Sequence, residues 1–360
     1  MYQRLSRLFE VSHSGHPTIV PMEGLRGLAV FLVFLVHYLG ELLPYMAPIG
    51  RPWPLSAYVH LLGRTGVDLF FVLSGYLIYG SLLRRQQELK PYLYRRVERI
   101  YPTFLAVLAI YLLVSWAMPA QSKLPGGFVA ATLYILQNVL LLPGLFPIAP
   151  IITVAWSLSY ECFFYLVTPV LIGALRLRSW RPRARIGLFL FAAVLILARP
   201  EWTFGHPRLS MFLSGMILFE VLALMSRQSR AWLDALGLCG LVGGLALFIY
   251  LWLENFPVGL RLGALFVGFF AVCLAAFGQD GLTKRIFSWT PLRWLGNISY
   301  SYYLIHALVL RGVFYIFALF HRPVGVEPEL FWILITPAFA LTFVVSALLF
   351  VLVERPISLD

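Results

Sequence analysis

His37, Glu161 and His306 each stand inside a long apolar run. An ionisable side chain at the centre of a bilayer costs about 2.5–3.5 kcal/mol on insertion scales, so each of the three needs a partner or a task. Imidazole titrates near 6.5 and exchanges protons at neutral pH, which makes His37 and His306 candidate general bases. A lone intramembrane histidine serves equally well as a hydrogen-bonding residue between helices. Glu161 closes the block Trp156-Ser-Leu-Ser-Tyr-Glu161 with no Lys or Arg close in sequence. An unescorted carboxylate in lipid is hard to read as structural, so function is favoured there. Ser157, one turn earlier on the same face, is its supporting hydroxyl.

Arg26 and His37 are eleven residues apart. At about 100° per residue they share a helix face, with His37 about 16 Å deeper. Arg96 and Arg99, spaced i and i+3, also share a face and suit a polyphosphate, although positive loop flanks alone explain such pairs. The Gly66–Tyr76 block contributes Asp68, which alone reads as packing, and Ser74-Gly75, where another backbone can approach closely. Ser299, Tyr302 and His306 form a polar stripe at three-and-four spacing, with His306 about 15 Å beyond Gly296.

These residues need helices to hold them in lipid. The chain is 60% hydrophobic and 12% charged, with mean hydropathy +0.83. Soluble domains carry about 25% charged residues, so this is an all-α polytopic membrane bundle. Ten crossings are expected, at roughly 25–43, 66–83, 100–118, 153–175, 186–199, 207–225, 232–253, 259–278, 296–318 and 330–353. The net charge of +12 gathers in clusters at Arg4/Arg7, 84–99, 176–185, Arg227/Arg230, Lys284/Arg285 and Arg355. Ten crossings put every cluster and both termini on one side, the cytoplasmic side. An eleventh crossing at 127–143 would separate 84–99 from 176–185, so that stretch is expected to be re-entrant or buried among other helices.

No soluble basic face remains for nucleic acid. Cys162, Cys239 and Cys273 lack metal-ligand spacing and read as small buried hydrophobes. Residues 1–21 form a polar cytoplasmic segment, and the following apolar run is too long for a signal-peptide core and is expected to be retained. Residues 22–357 make one membrane domain. His37, Glu161 and His306 fall near mid-membrane, above a cationic mouth of Arg26, Arg96 and Arg99. An anionic carrier docked at that mouth would hand a group upward.

In order, these blocks resemble the acyltransferase 3 family, the polysaccharide O-acetylase type of integral membrane acyltransferases. The resemblance spans about residues 20–357. It rests on Arg26 to His37, Gly-Val-Asp-Leu-Phe-Phe-Val-Leu-Ser-Gly, Arg96-x-x-Arg99, Trp-Ser-Leu-Ser-x-Glu, Ile-Ser-Tyr-Ser-x-Tyr-Leu-x-His and Val353-Glu-Arg-Pro356. Glu23 stands where the family usually has Asp, and Cys162 replaces a frequent second Glu. The resemblance implies a multi-pass protein of the bacterial cytoplasmic membrane. It implies transfer of an acyl group, usually acetyl, from acyl-CoA to a hydroxyl of an envelope glycan, glycolipid or secreted small molecule. His37 would be base or acyl carrier, with Glu161 holding its tautomer or supporting the imidazolium. An SGNH-type hydrolase domain, frequent in the family, is not within this sequence, so the membrane domain is expected to complete the transfer or pass the group on. The rival is a transporter using His and Glu as a proton relay, but no internal repeat of the transporter kind is visible.

Overall fold

A computed structural model describes residues 8–10, 19–46, 55–203, 205–225, 231–320 and 329–359. Of the basic clusters, Arg4, Arg7, Arg227 and Arg230 lie outside the described residues. The helices that carry the site are α1 (Val20–Met46), α2 (Ser56–Arg64), α3 (Gly66–Arg84), α4 (Leu89–Ala117), α5 (Phe128–Val139) and α6 (Trp156–Ala174). They are followed by α7 (Pro182–Ala198), α8 (Ser210–Leu224), α9 (Ala231–Leu253) and α10 (Val258–Gly278). Two short helices, α11 (Leu282–Phe287) and α12 (Thr290–Asn297), lead into α13 (Ser299–Phe320) and α14 (Glu329–Leu349).

Among the described residues, nine helical segments are long and apolar enough to cross a membrane, α2 and α3 counting as one. The remaining expected crossing, 186–199, forms the 17-residue α7. At 1.5 Å per residue it rises about 26 Å, the lower end for a span. The third crossing begins earlier than its apolar run suggests, because the arginine-rich residues 90–99 continue α4 toward its start at Leu89.

The 127–143 stretch forms the 12-residue α5, whose rise of about 18 Å falls short of a bilayer. The chain then turns back through Leu141 and Gly144, both at positive φ. Asn138 fixes that return, donating to the Tyr134 carbonyl and accepting the Ile151 amide at 2.8 Å. The expected burial among other helices is not found. Phe128, Val129, Leu133 and Leu136 are exposed, and Asn138 is the buried residue of α5. A helix satisfies its own backbone, so its apolar face tolerates lipid without a protein cover.

α1 is the hub, packed against α2, α3, α10, α11, α12, α13 and α14. Close packing of α3 on α8 depends on Gly75 and Gly215. A Cβ at Gly75 would stand 2.1 Å from the Phe212 carbonyl oxygen, and one at Gly215 2.0 Å from that of Val72. The close approach expected at Ser74-Gly75 is therefore present.

Behind the α3–α8 contact, Arg185 forks onto Glu220 at 2.6 and 2.9 Å, and Tyr79 donates to the same carboxylate. The other Arg185 amine donates to the Leu177 and Trp180 carbonyls. This buried pair ties the basic 176–181 turn to α8. Removing one partner of such a pair costs about 3–5 kcal/mol, whereas replacing both with apolar groups is often neutral. Glu220→Ala is therefore expected to lower the melting temperature in detergent sharply, with Arg185→Met/Glu220→Leu recovering most of the loss.

Candidate active site

α1, α4 and α13 bring their N-terminal parts to one large cavity, of about 970 Å³. Arg26 from α1, Arg96 and Arg99 from α4 and Ser299 from α13 line it, with Ser74 from α3 and Ser157 and Glu161 from α6. Arg26, Arg96 and Arg99 thus converge as their spacing predicts. Arg96 lies 5.4 Å from the ring centres of both Tyr92 and Tyr165, a cation–π setting that fixes it at little charge cost. Glu23 pairs with Arg293 at 2.8 Å, leaving Arg26 to the cavity.

Arg99 is held from behind by Glu354. This carboxylate is fully buried and lies 3.3 Å from the guanidinium. It accepts the backbone amide and hydroxyl of Ser301 at 3.0 and 2.6 Å. A π-helical turn, Phe350–Glu354, aims it inward at the end of α14, as such bulges do at functional positions. Arg26 feels the charges of Arg99, Glu354 and Glu161. Glu354 so offsets two arginines that would otherwise repel each other. The sequence held this residue in its Val-Glu-Arg-Pro block, but its target lies more than 250 residues away. Three buried polar atoms on the cavity wall, Arg96 Nε, Arg99 Nη1 and Ser299 Oγ, have no hydrogen-bond partner among the described residues. Buried donors are rarely left so, and these suit an anionic ligand.

Eleven residues along α1 from Arg26, His37 lines a second, smaller cavity of about 110 Å³ with Glu41, Tyr111, Lys123, Thr153 and Arg311. His37 and His306 meet edge to face, with His306 Nε2 3.3 Å from His37 Nδ1. The carbonyls assign the tautomers. His306 Nδ1 is 2.9 Å from the carbonyl oxygens of Tyr302 and Tyr303, so it carries the hydrogen and Nε2 accepts. His37 Nδ1 is 2.8 Å from the Val33 oxygen and also carries a hydrogen. In the neutral ring, His37 Nε2 is the free lone pair. A proton taken there makes an imidazolium supported by the Val33 carbonyl and by His306.

His306 is the side chain within hydrogen-bond distance of the His37 ring, and the hydrogen bonds of Glu161 go elsewhere. Glu161 accepts from Ser74 Oγ at 3.0 Å and Tyr165 at 2.5 Å, bonds that face the large cavity. Equal depth put Glu161 beside the histidines in the sequence reading, but its position around the bundle puts it on the arginine side. Tyr302 lies beside His306. It stacks on His306 at 5.4 Å between ring centres and shares a hydrogen bond with Thr342 in a separate apolar cluster. Its neighbour Tyr303 reaches the cavity instead, donating to the Val154 carbonyl at 2.9 Å and lying 2.6 Å from Ser157 Oγ. Asp68, fully buried, pairs with Arg208 at 2.9 Å and lines neither cavity, so its role is to join α3 to the turn before α8.

Tyr303 and Ser157 line the large cavity, while Ala307 and Thr153, four residues away on each chain segment, line the small one. The hydroxyl pair and the histidine pair thus stand between two polar chambers. Such an arrangement allows proton abstraction on one side from a group attacking a reagent held on the other.

A model of the acyltransferase domain matches residues 20–351. The peptidoglycan O-acetyltransferase OatA of Listeria monocytogenes is 29% identical across 93% of this chain and 55% of its own length. The exopolysaccharide production protein ExoZ of Rhizobium meliloti is 29% identical across 70% of the chain and 78% of its own length. The putative peptidoglycan O-acetyltransferase YrhL of Bacillus subtilis is 27% identical across 82% and 49%. The chain thus spans about half the length of OatA and YrhL. No solved structure matches. With the match covering nearly the whole helical bundle, this multi-pass membrane chain belongs to the acyltransferase 3 family.

Proposed function

We propose that the protein moves an acyl group, acetyl by analogy with its relatives, from cytoplasmic acyl-CoA to a hydroxyl of an envelope polysaccharide, glycolipid or secreted small molecule. The observation that carries the donor is the large cavity with its three arginines and unsatisfied buried donors. CoA is a polyanion with a long thioester arm, and arginine forks match its phosphates. The phosphates sit at Arg26, Arg96 and Arg99, and the arm runs toward Ser157 and Tyr303.

The acceptor enters the small cavity. His37 Nε2 removes its hydroxyl proton as the oxygen attacks the thioester carbonyl, and His306 supports the imidazolium. The carbon–sulfur bond breaks, the new ester forms, and the thiolate of CoA recovers the proton. Glu161 keeps Tyr165 and Ser74 in place on the donor side, and its charge balances Arg26. The basic 84–99 and 176–185 loops and both termini face the cytoplasm, in the bacterial inner membrane.

His37→Ala is expected to lower transfer by about 10²–10⁴-fold without loss of insertion; near wild-type turnover in a folded variant would transfer the base to another residue. Glu354→Gln is expected to raise the KM for acetyl-CoA about tenfold or more with little change in kcat. It keeps an acceptor for Ser301 but removes a charge-assisted contact worth about 1.5–3 kcal/mol, and Glu354→Asp should retain part of the affinity. An unchanged donor KM would reduce Glu354 to a packing role. In sealed vesicles, cysteines introduced at Leu89 and Ser179 should label from one face and one at Ser122 from the other; labelling of Ser179→Cys from the Ser122 side would break this topology.

A further inference from the structure

The small cavity has a charge composition that plain recognition of a neutral hydroxyl does not call for. Its wall holds two cations, Lys123 and Arg311, and a single carboxylate, Glu41. Glu41 and Arg311 are loosely associated, with 3.9 Å between their nearest charged atoms and both side chains partly exposed. Among the described residues Lys123 has no carboxylate partner. Its ammonium donates to the Pro150 and Ile151 carbonyls at 3.0 and 3.2 Å and to Thr153 Oγ1 at 3.3 Å, all neutral oxygens. Burial, and then the Arg311 charge, hold its pKa below the ordinary lysine value. Lys123 and Arg311 are both solvent-exposed, so two cations with one loosely held carboxylate give this wall a surplus of positive charge that an anionic ligand would offset.

The other polar groups suit a saccharide. The buried Tyr111 hydroxyl lies beside Thr153 on this wall. Ser115, Gln121 and Thr153 add short hydrogen-bonding groups to the same wall. Lys123 also fixes the wall itself, joining the segment after α4 to the segment before α6 through its three oxygen contacts.

We propose, resting on the reading of this chamber as the acceptor side, that the acceptor is an acidic saccharide. Its reacting hydroxyl lies at His37, and a carboxylate or phosphate on the same or the adjoining sugar lies between Lys123 and Arg311. The anion replaces Glu41 as partner of Arg311 and gives Lys123 the counter-charge it lacks. Such a site also sets selectivity, because a neutral sugar leaves Lys123 without a counter-charge and Arg311 with only the loose Glu41 contact.

Mass spectrometry of glycans and secreted metabolites from cells with and without the protein tests the inference. The acylated unit is expected to carry, or directly adjoin a sugar that carries, a carboxylate or phosphate. In membranes assayed with that acidic saccharide, Lys123→Met and Arg311→Gln are each expected to raise the acceptor KM at least tenfold with the acetyl-CoA KM unchanged. Arg311→Gln, at a partly exposed position outside the loop that Lys123 fixes, keeps the test valid if Lys123→Met fails to fold. With the acidic group amidated or removed, Arg311→Gln should change the acceptor KM less than twofold. A product neutral throughout its repeating unit, or an acceptor KM insensitive to Arg311→Gln, would overturn the acidic acceptor while leaving acyl transfer standing. No acylated difference between the two cell types would overturn the proposed function and this inference together.

Discussion

Hydrocarbon offers a buried charge nothing to bind, so every ion inside this bundle must be answered by another helix. Three pairs meet that demand: Arg185 with Glu220, Arg208 with Asp68 and Arg99 with Glu354. In each, the carboxylate is fully buried and the arginine is drawn from a distant part of the sequence. None is worth much as net stability, because desolvation consumes most of the Coulomb gain. Their value is geometric. An unpaired member is so costly that the helices have one arrangement in which all three pairs close, and that arrangement fixes the site. Arg208 and Asp68 set one end of α3, Arg185 and Glu220 brace α8 and the basic turn, and Glu354 turns Arg99 toward the cavity.

The same constraint explains what the sequence could and could not reveal. Apolar runs and arginine clusters respond to the bilayer directly, so the expected crossings correspond to helices, and 127–143 is too short to span. Spacing along one helix was also legible for Arg96 and Arg99, which both reach the large cavity from α4, while Arg26 and His37 on α1 line the large and the small cavity. Periodicity fixes angles within a helix, but the rotation of the whole helix comes from its neighbours. That is why Tyr302 was chosen and Tyr303 reaches the cavity. The stripe Ser299, Tyr302, His306 exists, but Tyr302 turns toward Thr342 on α14. Glu161 likewise lines the arginine cavity, held there by Ser74 and Tyr165. Glu354 was visible only as part of a motif, because no local pattern links it to an arginine on α4.

The two chambers also divide a chemical problem. A thioester must be kept from water until the intended hydroxyl arrives, and a base strong enough to activate a hydroxyl activates water as well. Here the only free imidazole lone pair of the histidine pair faces the small chamber, and the arginines that suit the carrier face the large one. One helical turn of α13, from Tyr303 to Ala307, separates their walls. The Tyr303–Ser157 hydroxyl pair stands on that boundary, with the Tyr303 hydrogen directed at the Val154 carbonyl. A donor arm filling the space beside Ser157 would bring its carbonyl to the boundary without exposing it to the far side.

Selectivity then follows from which chamber each charge occupies. A site that placed Arg26, Arg96 and Arg99 beside the base would attract the polyanionic carrier to the base and crowd out the acceptor. Separating them along α1 by about 16 Å lets one helix serve both reagents, Arg26 at one end of the path and His37 at the other. Because α1 is packed on seven other helices, neither residue moves independently of the bundle. The buried ion pairs that make the fold unique therefore also keep the distance between Arg26 and His37 constant, and the proposed transfer across the boundary would require that constancy more than any single strong contact.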